Sequence, residues 1–280
     1  MVDRTKTGLN RESSVRRKAQ VQSQSNINNM TMNIETKIEI NIKMISDMIC
    51  LMDGRVIVVE RHGKVNLLTS NGKLQKQLSI PGKAWSVTQI NQDTIAITYP
   101  INEKAIKIFN MENETVTKVI TLDKGCWGLS FSNNSLAVGL SNDEIRIIDL
   151  EGNTLKSILV ESKTELCNLV YCNDRVIYSD CNGNAVNCYD GSGKQIWQYT
   201  QDLEGPSGLC TDSNGNIIVA DHDSNSIIVT SKDGQNSKVL MSEEDGLDYP
   251  QFICFKYNES SGFICDFNGT YLAKFNLVLG

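Results

Sequence analysis

From residue 31 onward, apolar and polar positions follow a pattern that repeats about every 40 residues. Each repeat has a short polar turn followed by a run of apolar, mostly β-branched residues, which is typical of a tight turn and a buried strand. The six turns are Asp53-Gly54, Gln92-Asp93, Asn133-Asn134, Asn173-Asp174, Asn214-Gly215 and Asn258-Glu259. The runs after them are RVIVVE, TIAITYP, SLAVGL, RVIYSD, NIIVAD and SGFICD. The pattern therefore predicts six equivalent strands.

Further short runs accompany these six and repeat in step with them. One opens each unit, reading SDMICL, WSVTQI, WGLSFS, CNLVYC, SGLCTD and QFICFK. Two more follow, as KVNLLTSNG and LQKQLSI do in the first unit. Four short strands in a unit of about 40 residues are typical of a β-propeller blade. We therefore predict an all-β fold, a six-bladed β-propeller of four-stranded antiparallel blades over residues 31–280.

The sixth unit shows three strands, so its fourth strand must come from elsewhere in the chain. Residues 34–42, IETKIEINI, alternate apolar and polar side chains as a half-buried edge strand does. We predict that they pair with the strand around Tyr271 to Leu279 and close the last blade, because pairing the first and last segments protects two open edges.

The fifth unit, residues 206–234, carries the marks of a known repeat. The marks are Pro206, Gly208, the Asn214-Gly215 turn, Asp221, Asn225 and Gly234. This unit resembles the NHL repeat. NHL propellers commonly follow a RING, B-box zinc fingers and a coiled coil in tripartite-motif proteins. The resemblance implies a substrate- or partner-recognition module of a ubiquitin-ligase-type protein, in which ligase activity would need a RING domain that this sequence does not contain.

Composition separates the first 30 residues from the rest of the 280-residue chain. Residues 1–30 carry a net charge of +4 within a total of −6, which leaves −10 on residues 31–280. We predict a disordered basic linker there, with a nucleic-acid-binding patch as the alternative. No apolar run suggests a secretory signal or a membrane span, so we expect a cytoplasmic protein without membrane contact. The nine cysteines are then reduced and fill the core, since their spacings and the two histidines, His62 and His222, suit no zinc site.

Four acidic residues end the second strand of their units and have two interpretations. They are Glu60, Asp180, Asp221 and Asp266. The Glu204-Gly205-Pro206 sequence resembles a short motif of six-bladed gluconolactonase-like hydrolases. In those enzymes, acidic residues from several blades hold calcium in the channel. Alternatively, each carboxylate caps a neighbouring turn through backbone N–H groups. We favour turn capping, and therefore expect no metal, no cofactor and no catalytic residue.

The turns after the second strands and the linkers between blades should share one face of the ring. We count seventeen acidic and six basic residues on that face. Such a face repels phosphate, which disfavours the RNA binding that some NHL propellers show. It suits a basic protein or peptide instead. We therefore predict a non-catalytic protein-interaction propeller, with a calcium-dependent hydrolase and an RNA-binding propeller as alternatives.

Two tryptophans hold equivalent positions at the start of the inner strands of units two and three. Exposed aromatic side chains near the channel mouth would anchor a partner. We predict that Trp85 and Trp127 form this anchor and that Glu243, Glu244 and Asp245 attract the basic partner. The alternative is that both indoles pack between blades and serve the core.

Overall fold

The computed structural model describes residues 27–61 and 63–279, and it confirms the predicted six-bladed β-propeller. Twenty-four strands form six four-stranded antiparallel sheets over these residues. Blade 1 contains β2 (Ile45–Cys50), β3 (Val56–Glu60), β4 (Val65–Leu68) and β5 (Leu74–Leu78). Blade 2 contains β6 (Val87–Asn91), β7 (Thr94–Tyr99), β8 (Ala105–Asn110) and β9 (Thr115–Thr121). Blade 3 contains β10 (Cys126–Ser132), β11 (Ser135–Leu140), β12 (Glu144–Asp149) and β13 (Thr154–Leu159).

The second half of the chain builds the other three blades in the same way. Blade 4 contains β14 (Leu169–Cys172), β15 (Arg175–Asp180), β16 (Ala185–Asp190) and β17 (Gln195–Tyr199). Blade 5 contains β18 (Pro206–Thr211), β19 (Ile217–Asp221), β20 (Ser226–Thr230) and β21 (Ser237–Met241). Blade 6 contains β22 (Pro250–Phe255), β23 (Ser261–Asp266), β24 (Tyr271–Val278) and β1 (Thr31–Glu39). Two single-turn 3-10 helices, Ile27–Asn29 and Glu243–Asp245, are the helical elements of this part of the chain, and neither is long enough to cross a bilayer.

The hydrophobic core lies between the blades. Six clusters of buried side chains each join two neighbouring blades. In β3, Val56 and Val58 pack toward blade 6, whereas Ile57 packs toward blade 2. A strand that is buried on both faces needs a continuous apolar run, which explains the unbroken runs in the sequence.

Adjacent inner strands approach each other closely around the central channel. A Cβ on Gly128 would lie 2.6 Å from the carbonyl oxygens of Leu166 and Cys167, so this position in blade 3 accepts only glycine. Side chains also tie neighbouring inner strands together. The Thr88 hydroxyl accepts a hydrogen bond from the Phe131 N–H. The ring is thus held by polar contacts at its centre as well as by the clusters between blades.

In blade 3, the turn between the first and second strands is as tight as the sequence predicts. Asn133 and Asn134 both have positive φ, 49° and 56°, in the two-residue turn from β10 to β11. This is the backbone of a type I′ hairpin, which asparagine tolerates better than most residues. The polar turn pairs read from the sequence therefore mark true hairpins.

The first described strand closes the ring as predicted. β1 pairs antiparallel with β24, from Thr31 opposite Val278 to Glu39 opposite Tyr271. The strand starts and ends three residues earlier than residues 34–42, and a bulge between Ile34 and Thr36 interrupts the predicted alternation.

The chain just before β1 also packs onto the propeller. Ile27 and Met30 are buried in the cluster between blades 5 and 6, and Lys238 Nζ donates to the Met30 carbonyl oxygen at 2.6 Å. The remainder of the predicted linker, residues 1–26, lies outside the described residues.

The alternating strand directions give the ring two distinct faces. The turns between second and third strands and the linkers between blades lie on one face, here called the linker face. The Asp221 carboxylate at the end of β19, for example, accepts from the Gly205 N–H in the linker before β18. The other turns lie on the opposite face.

Residues 27–39 should contribute strongly to stability, because they complete blade 6 and cover the edge of β24. A chain that begins at residue 40 should melt well below a chain that begins at residue 27 and should aggregate through the exposed edge. Thermal melts and light scattering at several concentrations measure both effects. Equal melting temperatures for the two chains would contradict closure by β1.

Candidate partner-binding face

The six inner strands enclose a central channel with a cavity of about 180 Å³. Asp47 and Ser86, from blades 1 and 2, supply polar groups to a lining that is otherwise largely apolar. Asp47 Oδ2 accepts from the Ser86 hydroxyl at 2.5 Å and from the Val87 N–H at 2.8 Å. Burial raises the pKa of Asp47 to about 6, and these hydrogen bonds act in the opposite direction without offsetting it. Asp47 therefore links blades 1 and 2 by hydrogen bonds, and the ionisation of its carboxyl group is unfavourable in the folded protein.

The four aligned carboxylates are buried, and each is used in local hydrogen bonds. Asp221 accepts from the N–H groups of Glu204 and Gly205 at 2.9 and 2.8 Å. Asp180 accepts from the N–H groups of Lys163 and Gly183. Asp180 and Asp221 thereby hold the linkers that precede blades 4 and 5, respectively.

Asp266 acts on the turn that follows it, because it accepts from the N–H groups of Thr270 and Tyr271, at 2.8 and 3.1 Å. Glu60 differs from the expected turn cap: its carboxylate accepts from the side-chain amide of Asn66 in β4 at 2.9 Å. Within residues 27–61 and 63–279, no three His, Cys, Asp or Glu side chains are grouped closely enough to hold a metal ion.

Trp85 and Trp127 contact each other on the linker face. Their rings meet edge to face, with centroids 5.0 Å apart, and both side chains are half-buried. The Trp127 indole N–H donates to the Ser141 hydroxyl at 3.0 Å. Their backbones are fixed as well, because Ser46 and Thr98 donate to the carbonyl oxygens of Trp85 and Trp127, both at 2.7 Å. The two indoles therefore contact each other across blades 2 and 3 and stay partly exposed, and the Trp85 indole N–H is buried.

The tryptophan pair belongs to a longer row of side chains that spans five blades. Arg61 lies 5.3 Å from the Trp85 ring and 5.3 Å from the Phe267 ring. His222 lies 6.2 Å from Phe267, and Tyr249 lies 5.1 Å from His222. We call this row the aromatic arc; its members are Trp127, Trp85, Arg61, Phe267, His222 and Tyr249.

The exposed charges of the linker face are unevenly distributed. On blades 1–3, acids pair with nearby bases: Glu103 with Lys107 and Asp123 with Arg146. The linker from β1 to β2 adds a basic residue, Lys43, that our sequence count of this face omitted. The exposed acids of blades 4–6, here called the acidic sector, are Glu161, Glu165, Asp202, Glu204, Asp223, Glu243, Glu244, Asp245 and Asp248. The acidic sector lies beside the His222 and Tyr249 end of the aromatic arc.

The three predicted partner-binding acids have different surroundings. Glu243, Glu244 and Asp245 form one turn of 3-10 helix between β21 and β22, and all are exposed. Asp245 Oδ2 accepts from the Ser242 N–H at 2.9 Å, so this carboxylate caps its own turn. Glu243 and Glu244 are therefore the better candidates for contact with a partner.

Four of the six aromatic-arc residues were not among the predicted site residues. Arg61, His222 and Phe267 each follow directly after an aligned acid, at the same position of the repeat. A comparison of that position across the units would have found them. Tyr249 has φ 47° and is held by a hydrogen bond from its N–H to Asn225 Oδ1, which no sequence pattern indicates. The other histidine, His62, lies outside the described residues.

Comparisons with known proteins support the fold and one repeat. Residues 203–229, in blade 5, match the NHL repeat family. A structural genomics protein of unknown function from Bacteroides thetaiotaomicron VPI-5482 is similar in structure, with a TM-score of 0.71 and 13% sequence identity. The alignment covers 89% of this chain and 76% of that protein. No curated protein matches the sequence. The protein is thus a six-bladed β-propeller with an NHL repeat in its fifth blade.

Asp221 should stabilise the fold by satisfying two backbone donors, one of them on a buried glycine. Asp221→Ala should lower the free energy of unfolding by about 2 kcal/mol, because both N–H groups lose their acceptor. Glu204→Ala, which changes an exposed side chain in the same linker, should change it by less than about 0.5 kcal/mol. Denaturant unfolding with and without calcium measures both values. A calcium-dependent gain that Asp221→Ala abolishes would support the metal-site interpretation instead.

Asp47 should make stability depend on pH in the acidic range. A folded-state pKa of about 6, above the unfolded value near 4, means that ionisation weakens the fold. The unfolding free energy should therefore fall, relative to Asp47→Asn, as pH rises from about 4 to about 6. The full change is about 3 kcal/mol, at about 1.4 kcal/mol per pKa unit. Parallel unfolding curves at several pH values test this, and the same pH dependence in both proteins would contradict it.

Proposed function

We propose that this propeller is a non-catalytic interaction module whose linker face binds a basic segment of a partner protein. The observation that carries the proposal is the aromatic arc beside the acidic sector. Partly exposed aromatic side chains suit the apolar and cationic groups of a peptide. Exposed carboxylates beside them favour a partner with lysine or arginine.

The two parts of the site have different roles in binding. The acidic sector raises the rate of encounter with a basic segment, and salt screens this effect because its carboxylates are exposed. The tryptophan pair supplies the anchor, because buried aromatic contacts account for most of the binding free energy in many interfaces. The half-buried state of Trp85 and Trp127 fits this role, since their orientation is fixed before the partner arrives.

The NHL repeat in blade 5 supports a more specific proposal about the kind of protein in which this propeller acts. Propellers of this kind follow RING, B-box and coiled-coil segments in tripartite-motif proteins, where they select the substrate or partner. We infer that this propeller recognises the substrate or partner of a ubiquitin-ligase-type protein. Any ligase chemistry would then belong to a RING domain, and the propeller itself would need no cofactor.

The proposal predicts how variants alter binding to a basic peptide. A fluorescent library of lysine- and arginine-rich peptides, each with one aromatic or leucine residue, provides the probe, and anisotropy gives the Kd. Trp85→Ala and Trp127→Ala should each weaken the best binder by roughly 30-fold or more, which corresponds to about 2 kcal/mol. Glu243→Lys with Glu244→Lys should weaken it mainly at low salt. Glu112→Lys, an exposed charge reversal on the opposite face, is the matched control and should have little effect.

Three results would contradict the proposal. One is a library with no binder at low salt. Another is tighter binding to single-stranded RNA than to any peptide, which would favour the RNA-binding alternative. The third is a large loss of thermal stability in both tryptophan variants, which would assign the indoles to the core. Thermal melts of each variant beside the binding assay separate the third result from a loss of binding alone.

A further inference from the structure

Two cysteine thiols from different blades meet beside the channel. Cys50, at the end of β2 in blade 1, and Cys254, in β22 of blade 6, have their sulfur atoms 2.8 Å apart. They are 204 residues apart in the sequence. Cys50 Sγ also lies 3.7 Å from the Cys254 carbonyl oxygen, to which it donates. The two thiols are therefore held together by the packing of the first blade against the last.

Small solutes can reach this pair from the opposite face. Cys50 is half-buried and lines a cavity of about 240 Å³ together with Met52, Gln89 and Tyr257. Cys254 is buried and lines the central channel. Both volumes are several times the roughly 30 Å³ that a water molecule occupies, so a molecule the size of hydrogen peroxide fits.

The two sulfur atoms differ in their readiness to react. Burial raises the pKa of Cys254 well above its usual range, and the neighbouring Cys50 thiol adds to this effect. The thiolate is the nucleophile in thiol oxidation, so Cys254 is poorly suited to react first. The more accessible Cys50 is placed to be oxidised first, and Cys254 is placed to resolve the product.

A third thiol lies close enough to be considered. Cys210, in β18 of blade 5, lines the channel and influences the pKa of Cys254. Burial raises the pKa of Cys210 well above its usual range as well. The direct sulfur–sulfur contact joins Cys50 to Cys254, so this pair is the one that the packing favours.

We propose that Cys50 and Cys254 are a peroxide-sensitive dithiol that forms a disulfide between blades 1 and 6. Hydrogen peroxide transfers one oxygen to the Cys50 sulfur, which gives a sulfenic acid and one water molecule. The Cys254 thiol then attacks that sulfur, the S–S bond forms, and the hydroxyl group leaves with the thiol proton as a second water molecule. The two sulfur atoms lose two electrons in total, and peroxide accepts both.

The position of the two cysteines determines how a disulfide would affect closure of the ring. Blades 1 and 6 meet where β1 joins the two ends of the ring, so the new bond spans the seam that otherwise depends on noncovalent contacts. A cross-link between residues far apart in sequence restricts the unfolded chain strongly. Oxidation should therefore lock the ring closed, whereas reduction leaves closure to β1 and the clusters between blades.

Peptide mapping of the full chain tests the proposal directly. After treatment with hydrogen peroxide under native conditions, the intact mass should fall by two hydrogens and one peptide pair should link Cys50 to Cys254. The oxidised chain should melt at a higher temperature, and dithiothreitol should reverse both changes. Cys50→Ala and Cys254→Ala should show neither change. Cys181→Ala, which alters a half-buried thiol on the linker face, should behave like the parent protein.

The mapping experiment is informative even if a variant folds poorly, because the linked peptide is found in the parent chain. A link from Cys50 to Cys210 would overturn the proposal, since the resolving thiol would be a different one. Unreacted thiols, or a Cys50 sulfinic acid without any link, would overturn it too. A correct link that leaves the melting temperature unchanged would overturn the ring-locking role.

Discussion

Burial of apolar surface between neighbouring blades is the interaction on which the rest of this structure depends. A four-stranded blade has two apolar faces, and in this protein each face is covered by the next blade along the ring. An open row of blades would leave one face exposed at each end, so the ring must close. The chain solves this by completing blade 6 with β1, which brings the two ends of the sequence together. Residues as distant as Met32 and Phe275 thereby share one cluster.

Closure also decides where chemistry can occur. Because the clusters fill the space between the blades, the side chains of the proposed partner site stand at the ends of strands, in turns and in linkers. The buried carboxylates Asp180 and Asp221 accept hydrogen bonds from linker N–H groups. They thereby fix the backbone of the linkers that carry exposed side chains. The aromatic arc then draws its members from five blades. No single blade could build it, so the proposed site exists only in the closed ring.

The sequence predicted the fold well because each blade repeats the same physical requirement. An apolar run buried on both sides, a polar turn and a period of about 40 residues leave few alternatives to a propeller. The second strands agree with the predicted runs almost residue for residue, as β11 does with SLAVGL. The closing strand pairs where the sequence predicts, but its bounds lie three residues earlier. The bulge between Ile34 and Thr36 depends on the partner strand, so the sequence pattern did not indicate it.

The candidate site was less predictable, since its members are neighbours only across blades. Trp85 and Trp127 were identified because both occupy one repeat position, at the start of the inner strands of units two and three. Arg61 and Phe267 share a repeat position after an aligned acid, but their contacts with the neighbouring rings follow only from the fold. The closeness of Cys50 and Cys254 likewise needed the register of blade 6 against blade 1.

Amide hydrogen exchange of the full chain, with and without a bound basic peptide, is the most direct test of a partner site assembled by ring closure. Slowed exchange is expected at several separate segments of the linker face together: the starts of the inner strands of blades 2 and 3, and the turns after β3, β19 and β23. The turns of the opposite face should exchange at unchanged rates. Protection confined to one blade, or found on the opposite face, would contradict the assignment of the aromatic arc as the binding site.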